Sequence, residues 1–293
     1  MKKRVVVWGT GNVGRPAIRA VLAHRDLELV GVIVSDPAKV GRDAGEIAGV
    51  ASAGVAATAD WQGLLQRLRP DALVYTANAD IRGAEAFMEL LACLEAGVNV
   101  VSPAFYPLLY PECGLEMAVG PVRDACRKGN SSVFVSGIDP GWAMDILPLL
   151  ASGVVADIRE IRAQEIFNYG LYDQPRVVRE VIGFGQDMAQ LPRMLEEFSL
   201  RMVWEPMVRI MASALDYPWT ASRRLSSAGR WSRQLTCRAW VFLTRAPRVH
   251  SGSRCGVSAT GSPGWWWSTS PASMIAAHPT GPIPRTGRVA TRC

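Results

Sequence analysis

Six residues near the amino end of the chain have the G-x-G-x-x-G spacing of a phosphate-binding turn: Gly9-Thr10-Gly11-Asn12-Val13-Gly14. In such a turn the first glycine allows a sharp bend, and the second lets the backbone approach a pyrophosphate without an intervening side chain. The third glycine lets the following helix pack closely against the preceding strand. These six residues are therefore our predicted contacts to a dinucleotide cofactor.

The elements around this turn have the order that the motif requires. Val5 to Trp8 is a short apolar run typical of a buried strand, residues 16–22 have the apolar spacing of a helix, and residues 27–34 predict a second strand. A helix that begins at such a turn offers unpaired N–H groups and the positive end of its dipole to a phosphate. Strand, turn, helix and strand together predict a dinucleotide-binding unit.

The residues that end the second strand bear on the choice between NAD and NADP. Asp36 follows the glycine motif at about the spacing at which an acidic residue holds the ribose 2′-hydroxyl of NAD. Ser35, Lys39 and Arg42 are the hydroxyl and basic groups that would instead bind the 2′-phosphate of NADP. We predict that Ser35 and Asp36 contact the cofactor, and the sequence leaves NAD and NADP both open.

Three more apolar runs, at 72–75, 98–101 and 133–136, alternate with segments of helical periodicity. This alternation predicts an α/β fold, a Rossmann-type doubly wound parallel sheet with right-handed crossovers. The carboxyl ends of such strands line the binding crevice. Further cofactor contacts are therefore predicted at the ends of two of these strands, at Thr76, Ala77, Asn78 and Ser102.

The predicted dinucleotide-binding domain covers residues 1–140. Beyond it, residues 161–168 alternate between apolar and polar types and predict a half-buried strand, whereas residues 188–211 predict one long helix. Residues 141–216 are therefore predicted to begin an α+β domain for substrate binding and oligomerisation, and we expect this domain to be incomplete.

Charge divides the chain after Asp216. The formal net charge of the whole chain is +6, yet residues 1–216 contain 21 basic and 26 acidic residues, a net charge of −5. Residues 217–293 contain 11 Arg and 6 of the 10 Trp, and no Asp, Glu or Lys. The basic character of the protein therefore comes entirely from this tail.

Three interpretations of the tail are a nucleic-acid-binding arm, a solvated disordered segment and a shifted reading frame in GC-rich coding DNA. Arms of the first kind normally mix Lys with Arg, and disordered segments avoid Trp. Back-translation with GC-rich codons and a shift of two bases turns the stretch around Trp265-Trp266-Trp267 into an alternating, β-branched segment with acidic residues. We therefore predict that residues 217–293 are an aberrant, out-of-frame and disordered tail.

Four segments of the chain carry a family pattern: Val5 to Val21, Val40 to Gly49, Ala96 to Ser102 and Gly137 to Asp145. Together they resemble the dihydrodipicolinate reductase-like superfamily, and more closely its 2,4-diaminopentanoate dehydrogenase branch. The resemblance covers about residues 1–215. It implies a nicotinamide-binding domain, a second domain with substrate contacts and a subunit interface, and hydride transfer to or from the C–N bond of an amino acid or imine.

Acidic side chains and a tyrosine are the candidate catalytic groups, because a substrate ammonium requires carboxylate or carbonyl partners: Asp139, Asp145, Glu165 and Tyr169. Asp139 follows a predicted strand at its carboxyl end, but it could equally cap a helix before Pro140. Asp145 could equally be a first-turn acid that stabilises a helix dipole. The cysteines of residues 1–216 have no ligand spacing, so no metal is predicted.

The predicted function is an NAD(P)-dependent oxidoreductase that acts on the C–N bond of a small amino acid or imine. The paired histidines and following lysine of dihydrodipicolinate reductases are missing from residues 1–216. The alternative is therefore a cofactor-binding homologue without turnover. We expect no nucleic-acid partner, and a homo-oligomer if the second domain were intact. No apolar run matches a signal peptide or the ~20 residues of a membrane span, which predicts a cytoplasmic protein without a membrane partner.

Overall fold

The computed structural model describes residues 1–156, 158, 160–169, 172–187, 189–216, 222–223, 236–244 and 265–266. The chain divides into two compact units, Met1–Gly137 and Ile138–Cys293. The division falls slightly before the predicted boundary at residue 140. The reason is local: Ile138 pairs with Gly141, and its carbonyl accepts from the N–H of Ala143, so the turn joins the second unit.

The first unit contains a six-stranded sheet with the order β3-β2-β1-β4-β5-β6, in which all neighbours are parallel. Its strands are β1 Lys3–Trp8, β2 Leu27–Ile33, β3 Ala57–Thr58, β4 Ala72–Tyr75, β5 Asn99–Ser102 and β6 Val133–Val135. From β1, the strands β2 and β3 extend the sheet to one side, whereas β4, β5 and β6 extend it to the other side. This reversal of strand order between β1 and β4 is the switch point of doubly wound dinucleotide-binding folds. The predicted fold class is confirmed.

Helices cover both faces of this sheet: α1 Gly14–Ala23, α2 Ala44–Ala48, α3 Trp61–Leu68, α4 Ala79–Glu95 and α5 Glu116–Gly129. On one face, Ile18 of α1 shares a buried cluster with Val5 of β1. On the other face, Leu90 of α4 shares a second cluster with Val6. Because β1 is buried on both faces, its sequence is a continuous apolar run rather than an alternating one.

The described part of the second unit contains α6 Ile146–Ser152, α7 Glu197–Val203 and α8 Glu205–Ala214, with β7 Glu160–Asn168, β8 Ser222–Arg223, β9 Thr236–Thr244 and β10 Trp265–Trp266. The strand order is β7-β9-β10-β8, and β7 pairs antiparallel with β9 along its whole length. The strand predicted at 161–168 is thus confirmed. The described segments of the 217–293 tail are strands, and the predicted disorder of its other residues falls outside the described part of the chain.

The single helix predicted at 188–211 is wrong. A 3-10 turn occupies Arg193–Leu195, α7 begins at Glu197, and α8 follows after Trp204. Two prolines explain the breaks, because proline donates no N–H and clashes with the preceding helical turn. Pro192 stands just before the 3-10 turn, and Pro206 stands in the first turn of α8, where proline is tolerated.

A membrane-crossing helix needs about 20 consecutive apolar residues. Within the described residues, no helix combines the necessary length and apolar composition.

Candidate functional site

The three glycines of the turn after β1 differ in whether the surrounding protein leaves room for a side chain. Gly9 has φ +105°, and a Cβ there would lie 2.6 Å from Oγ1 of Thr76. A Cβ on Gly14 would lie 2.0 Å from the carbonyl oxygen of Gly9. A Cβ on Gly11, in contrast, would meet no protein atom within 4 Å. The backbone at Gly11 therefore borders open space, where a ligand can approach it closely.

The start of α1 lies beside this open space and has no anionic group of its own. Its N-cap residue, Val13, makes no side-chain capping bond, and the first turn contains no acidic residue. The N–H of Arg15 donates to the carbonyl of Gly11 at 3.1 Å, so the turn runs directly into the helix. The positive end of the helix dipole is available to an external anion, and a diphosphate fits this place.

A cation lies beside the same turn, at the end of β2. Nζ of Lys39 is 3.4 Å from Oγ1 of Thr10 and 3.5 Å from its carbonyl oxygen. Asp36 is exposed, and its Oδ1 accepts from the N–H of Ala38 at 3.0 Å, which caps the 3-10 turn Pro37–Lys39. Ser35 is also exposed. Ser35 and Asp36 are therefore both at the surface, and Lys39 reaches back to the glycine turn.

The end of β4 is fixed against the glycine turn by Thr76. Its N–H and its hydroxyl both donate to the carbonyl of Trp8, at 2.7 and 2.8 Å. The same hydroxyl lies 3.4 Å from the carbonyl oxygen of Gly9. Ala77, the next residue, is half-buried. Thr76 therefore belongs to the framework of the crevice between β1 and β4.

The other predicted cofactor contacts at these strand ends have structural roles. Oδ1 of Asn78 accepts from the N–H of Ile81 at 3.0 Å and caps α4. Ser102 has no exposed surface. Its hydroxyl donates to the carbonyl of Tyr75 at 2.9 Å and accepts from the N–H of Ala104 at 3.0 Å. Ser102 therefore links β4 to the segment after β5, from a position that a ligand does not reach without displacement of the core.

The structure brings two of the predicted catalytic acids together in the second unit. Asp145 is 2% exposed, accepts from the N–H of Ile146 and caps α6. Burial raises the pKa of Asp145, the hydrogen bond from Ile146 opposes this rise, and the negative charge of Asp139 adds to it. Asp145, and not Asp139, is thus the helix cap. The pair combines a buried carboxyl whose pKa is raised with a neighbouring negative charge.

The remaining predicted catalytic residues lie on or just after β7. Glu165 stands opposite Ala239 in the β7–β9 ladder, and its side chain lies outside the described atoms. Tyr169 packs edge-on against Tyr172, with 5.9 Å between ring centroids, and lies 5.5 Å from the ring of Phe184. In the described part of the chain, no three His, Cys, Asp or Glu residues lie together as metal ligands.

Two polar residues at the crevice edge of the first unit were not among the predicted site residues. Asp80 lies in the first turn of α4, and Tyr106 begins the 3-10 turn Tyr106–Leu108 after β5. Burial raises the pKa of the Asp80 carboxyl, and the Tyr106 side chain lowers it. The available signal was their position, since each follows the carboxyl end of one of two neighbouring strands by four or five residues.

A cavity of about 570 Å³ lies at the opposite edge of the sheet, between the ends of α3 and α4. Arg69, Pro70, Gly97 and Val98 line it, and these residues precede the amino ends of β4 and β5. Ligands of doubly wound sheets bind outside the carboxyl ends of the strands. This cavity is therefore separate from the crevice that the glycine turn borders.

Comparison with known proteins finds one family match and two curated relatives. Residues 3–103 match the family described as dihydrodipicolinate reductase, N-terminus. An amine dehydrogenase from Streptomyces virginiae is 50% identical over 211 residues, which is 72% of this chain and 58% of that protein. A 4-hydroxy-tetrahydrodipicolinate reductase from Synechocystis is 41% identical over 61 residues, or 21% of this chain and 22% of that protein. The chain thus spans less than two thirds of the curated relatives that it matches.

Solved structures share the fold. The amine dehydrogenase from Mycobacterium smegmatis aligns with a TM-score of 0.60 at 19% identity, over 83% of this chain and 74% of that one. A D-galactose-1-dehydrogenase from Rhizobium etli aligns with a TM-score of 0.50 at 12% identity, over 92% of this chain and 71% of that one. At these identities the likeness extends to the fold alone.

Proposed function

We propose that the chain is an NAD(P)-dependent oxidoreductase acting on the C–N bond of a small amine, amino acid or imine, because residues 3–103 match the dihydrodipicolinate reductase family and a curated amine dehydrogenase is 50% identical over 211 residues. The observation that carries this proposal is the glycine turn, where Gly11 borders open space at the uncapped start of α1. Backbone N–H groups and a helix dipole at one place favour a diphosphate. When bound, the nicotinamide supplies the hydride acceptor or donor at its C4 carbon.

The reaction requires the protein to manage a proton and a positive charge. In the oxidative direction a hydride leaves the carbon that carries the nitrogen, the nitrogen loses a proton as the C=N bond forms, and water then releases ammonia and a carbonyl compound. A carboxyl whose pKa lies above its ordinary range exchanges protons nearer to neutral pH. Asp145 has this property, and Asp139 helps to maintain it. We assign proton transfer to this pair.

We also propose a role in substrate contact for Glu165 and Tyr169, because the family resemblance implies that the second domain supplies substrate contacts. Tyr169 stands at the end of β7 within an aromatic group that includes Tyr172 and Phe184. Tyrosine rings bury apolar surface and keep a hydroxyl for hydrogen bonding. We propose that this aromatic group contacts the carbon skeleton of the substrate.

For the cofactor we propose a preference for NADP over NAD. Lys39 places an ammonium beside Thr10 of the glycine turn, where a 2′-phosphate on the adjoining ribose would find a charge-assisted partner. Asp36 commits Oδ1 to the N–H of Ala38, which leaves it less suited to hold both ribose hydroxyls. Lys39→Ala should weaken NADPH binding about tenfold or more and leave NADH binding unchanged. Tighter binding of NADH than of NADPH by the unaltered protein would refute this preference.

The experiment for the whole proposal uses the full chain. Fluorescence titration gives the dissociation constants of NADPH and NADH, and reduction of NADP⁺ is then followed with 2,4-diaminopentanoate, n-butylamine and cyclohexylamine. The proposal expects cofactor binding and oxidation of at least one amine. Cofactor binding without turnover, in either direction, would favour the alternative of a homologue that has lost catalysis.

Two further properties remain predictions of the family resemblance. A small-molecule substrate and a homo-oligomeric enzyme are expected for a complete second unit. Sedimentation equilibrium of the full chain tests the second of these directly, because a dimer and a monomer differ twofold in mass.

A further inference from the structure

The cavity between α3 and α4 is lined by two rows of side chains from α3. Trp61 and Leu65 form an apolar row, whereas Gln62, Gln66 and Arg69 form a polar row at helical spacing. Trp61 is half-buried, and the three polar residues are exposed. With a rise of about 1.5 Å per residue, the polar row is about 10 Å long. The cavity thus offers an elongated surface that is apolar on one side and polar on the other.

The end of α4 supplies the facing wall, and its residues are small. Ala92, Ala96 and Gly97 line this wall, and all three are exposed. The cavity volume of about 570 Å³ lies within the range of small-molecule sites, about 300–1,000 Å³. These dimensions suit a molecule that has one ring and a short chain.

The guanidinium of Arg69 gives the cavity its charge. Among the described residues that line the cavity, Arg69 alone is charged. Lys3 and Lys128, at the same edge of the sheet, are paired with Asp71 at 3.4 Å and with Glu95 at 2.7 Å. Within the described part of the chain, Arg69 makes no such ion pair and no side-chain hydrogen bond. Its donors are therefore available to a carboxylate, which a guanidinium binds with two parallel hydrogen bonds.

The backbone at Arg69 does not explain why this residue is an arginine. Its φ of 44° lies in the left-handed region, and its N–H donates to the carbonyl of Leu65 at 2.8 Å to end α3. Glycine is the residue that such a cap favours, because it has no Cβ. Termination of the helix therefore does not account for the side chain at this position.

The helix ends beside the cavity do not need Arg69 as a donor either. The carbonyl of Leu68 in α3 accepts from the guanidinium of Arg4, and the carbonyl of Leu94 in α4 accepts from the hydroxyl of Ser131 at 2.7 Å. Carbonyls at both helix ends thus already have protein donors, which weakens their attraction for a cationic ligand. The full charge of Arg69 then favours an anion.

We propose that this cavity is a second ligand site and that its ligand is a small organic carboxylate with an aromatic body. Arg69 binds the carboxylate, and Trp61 and Leu65 contact the ring. Trp61 is itself held by Trp8, with 5.1 Å between the ring centroids, so the surface that the ligand meets is rigid. The site is independent of the proposed function, because Arg69 precedes the amino end of β4 whereas the cofactor crevice lies at the carboxyl ends of the strands.

The test uses the full chain and 4-phenylbutyrate as the probe, with binding followed by NMR of the phenyl protons. 4-Phenylbutan-1-ol, which keeps the ring and chain without the charge, should bind about tenfold or more weakly. Arg69→Gln should weaken binding of 4-phenylbutyrate about 10- to 150-fold, because the charge-assisted hydrogen bonds are lost. Arg67→Gln is the matched control and should leave binding unchanged, since Arg67 is exposed in the last turn of the same helix and does not line the cavity.

Two further variants separate binding from folding. Ala92→Phe adds a ring from the exposed side of α4 and should abolish binding without a change of charge, because the ring occupies the cavity. Arg69→Gly suits the left-handed backbone at this position, so the protein should stay folded and should lose affinity as Arg69→Gln does. Thermal unfolding of each variant measures its stability in the same samples.

Three results would overturn the inference. The first is no binding of 4-phenylbutyrate to the unaltered, folded protein up to about 10 mM, the range expected for a ligand of this size. The second is equal affinity of the unaltered protein and of folded Arg69→Gln. The third is displacement of the probe by NADPH, which would place it in the cofactor crevice. Because the probe is followed without turnover, failure of the proposed function is a separate result.

Discussion

The substitution Gly11→Ala separates cofactor binding from folding, because the structure gives this glycine no internal reason to lack a side chain. A Cβ at residue 11 would meet no protein atom within 4 Å. The free energy of unfolding of the cofactor-free protein should therefore change by less than about 1 kcal/mol. The new methyl group would, however, occupy the space that a diphosphate needs to reach the backbone.

The expected loss follows from one displaced contact. A charge-assisted hydrogen bond between a backbone N–H and a phosphate oxygen contributes about 1.5–3 kcal/mol. Its loss corresponds to a weakening of about 10- to 150-fold in the dissociation constant of NADPH. Fluorescence titration measures this constant, and thermal unfolding without cofactor measures the stability of the same sample.

Two other glycines serve as controls. Gly83 lies exposed within α4, and a Cβ there also meets nothing within 4 Å, so Gly83→Ala should raise stability by about 0.5–1 kcal/mol and leave cofactor binding unchanged. Gly14→Ala should instead lower stability by about 1–3 kcal/mol, since its Cβ would lie 2.0 Å from a carbonyl oxygen. Unchanged NADPH affinity in Gly11→Ala, with the protein folded, would refute the assignment of this turn to the cofactor.

Further predictions concern acid stability, the core and the tail. The N–H of Ala53, with those of Glu46 and Gly45, lowers the pKa of Asp43 from 3.8 to about 2. The stability that ionised Asp43 contributes is therefore complete above about pH 4 and is lost as the pH falls towards 2. In Asp43→Asn, the free energy of unfolding should depend less on pH between pH 4 and pH 2. Glu89→Ala removes the partner of the buried Tyr75 hydroxyl and of a guanidinium, and chemical denaturation should show a loss of about 2–4 kcal/mol. Sequencing of the coding DNA near codon 216 should find an inserted or deleted base, and an uninterrupted frame across homologous genes would contradict the shifted-frame interpretation.

Most of the first unit was predictable because local and long-range preferences agree there. The apolar runs of β1, β2, β4 and β5 are too short for helices and are separated by helical periodicity, so one sheet accounts for all of them. The short α2 and β3 were missed, since two to five residues carry no periodic signal. The single helix predicted over 188–211 was wrong because its prolines interrupt a helix even where the apolar spacing is helical.

The site was less predictable, because the position of a polar residue in the sequence does not say whether its side chain contacts a ligand or satisfies the backbone. Asn78 and Ser102 stand at the expected strand ends, yet one caps a helix and the other is buried beneath the crevice. Asp145 was predicted as a catalytic group, with a first-turn acid as the alternative, and the structure makes it the cap of α6. Asp80 and Tyr106 follow the ends of two neighbouring strands, and only the tertiary fold brings these strand ends to one edge of the sheet.

The most direct test of the central claim follows the hydride itself. The full chain is incubated with NADP⁺ and n-butylamine that carries deuterium on the carbon next to nitrogen, and the reduced cofactor is analysed by mass spectrometry and by proton NMR at C4. The account predicts one deuterium at C4 of NADPH, on a single face, together with release of ammonia. Tight binding of NADP⁺ with no deuterium transferred from this or any other amine or amino acid would contradict it.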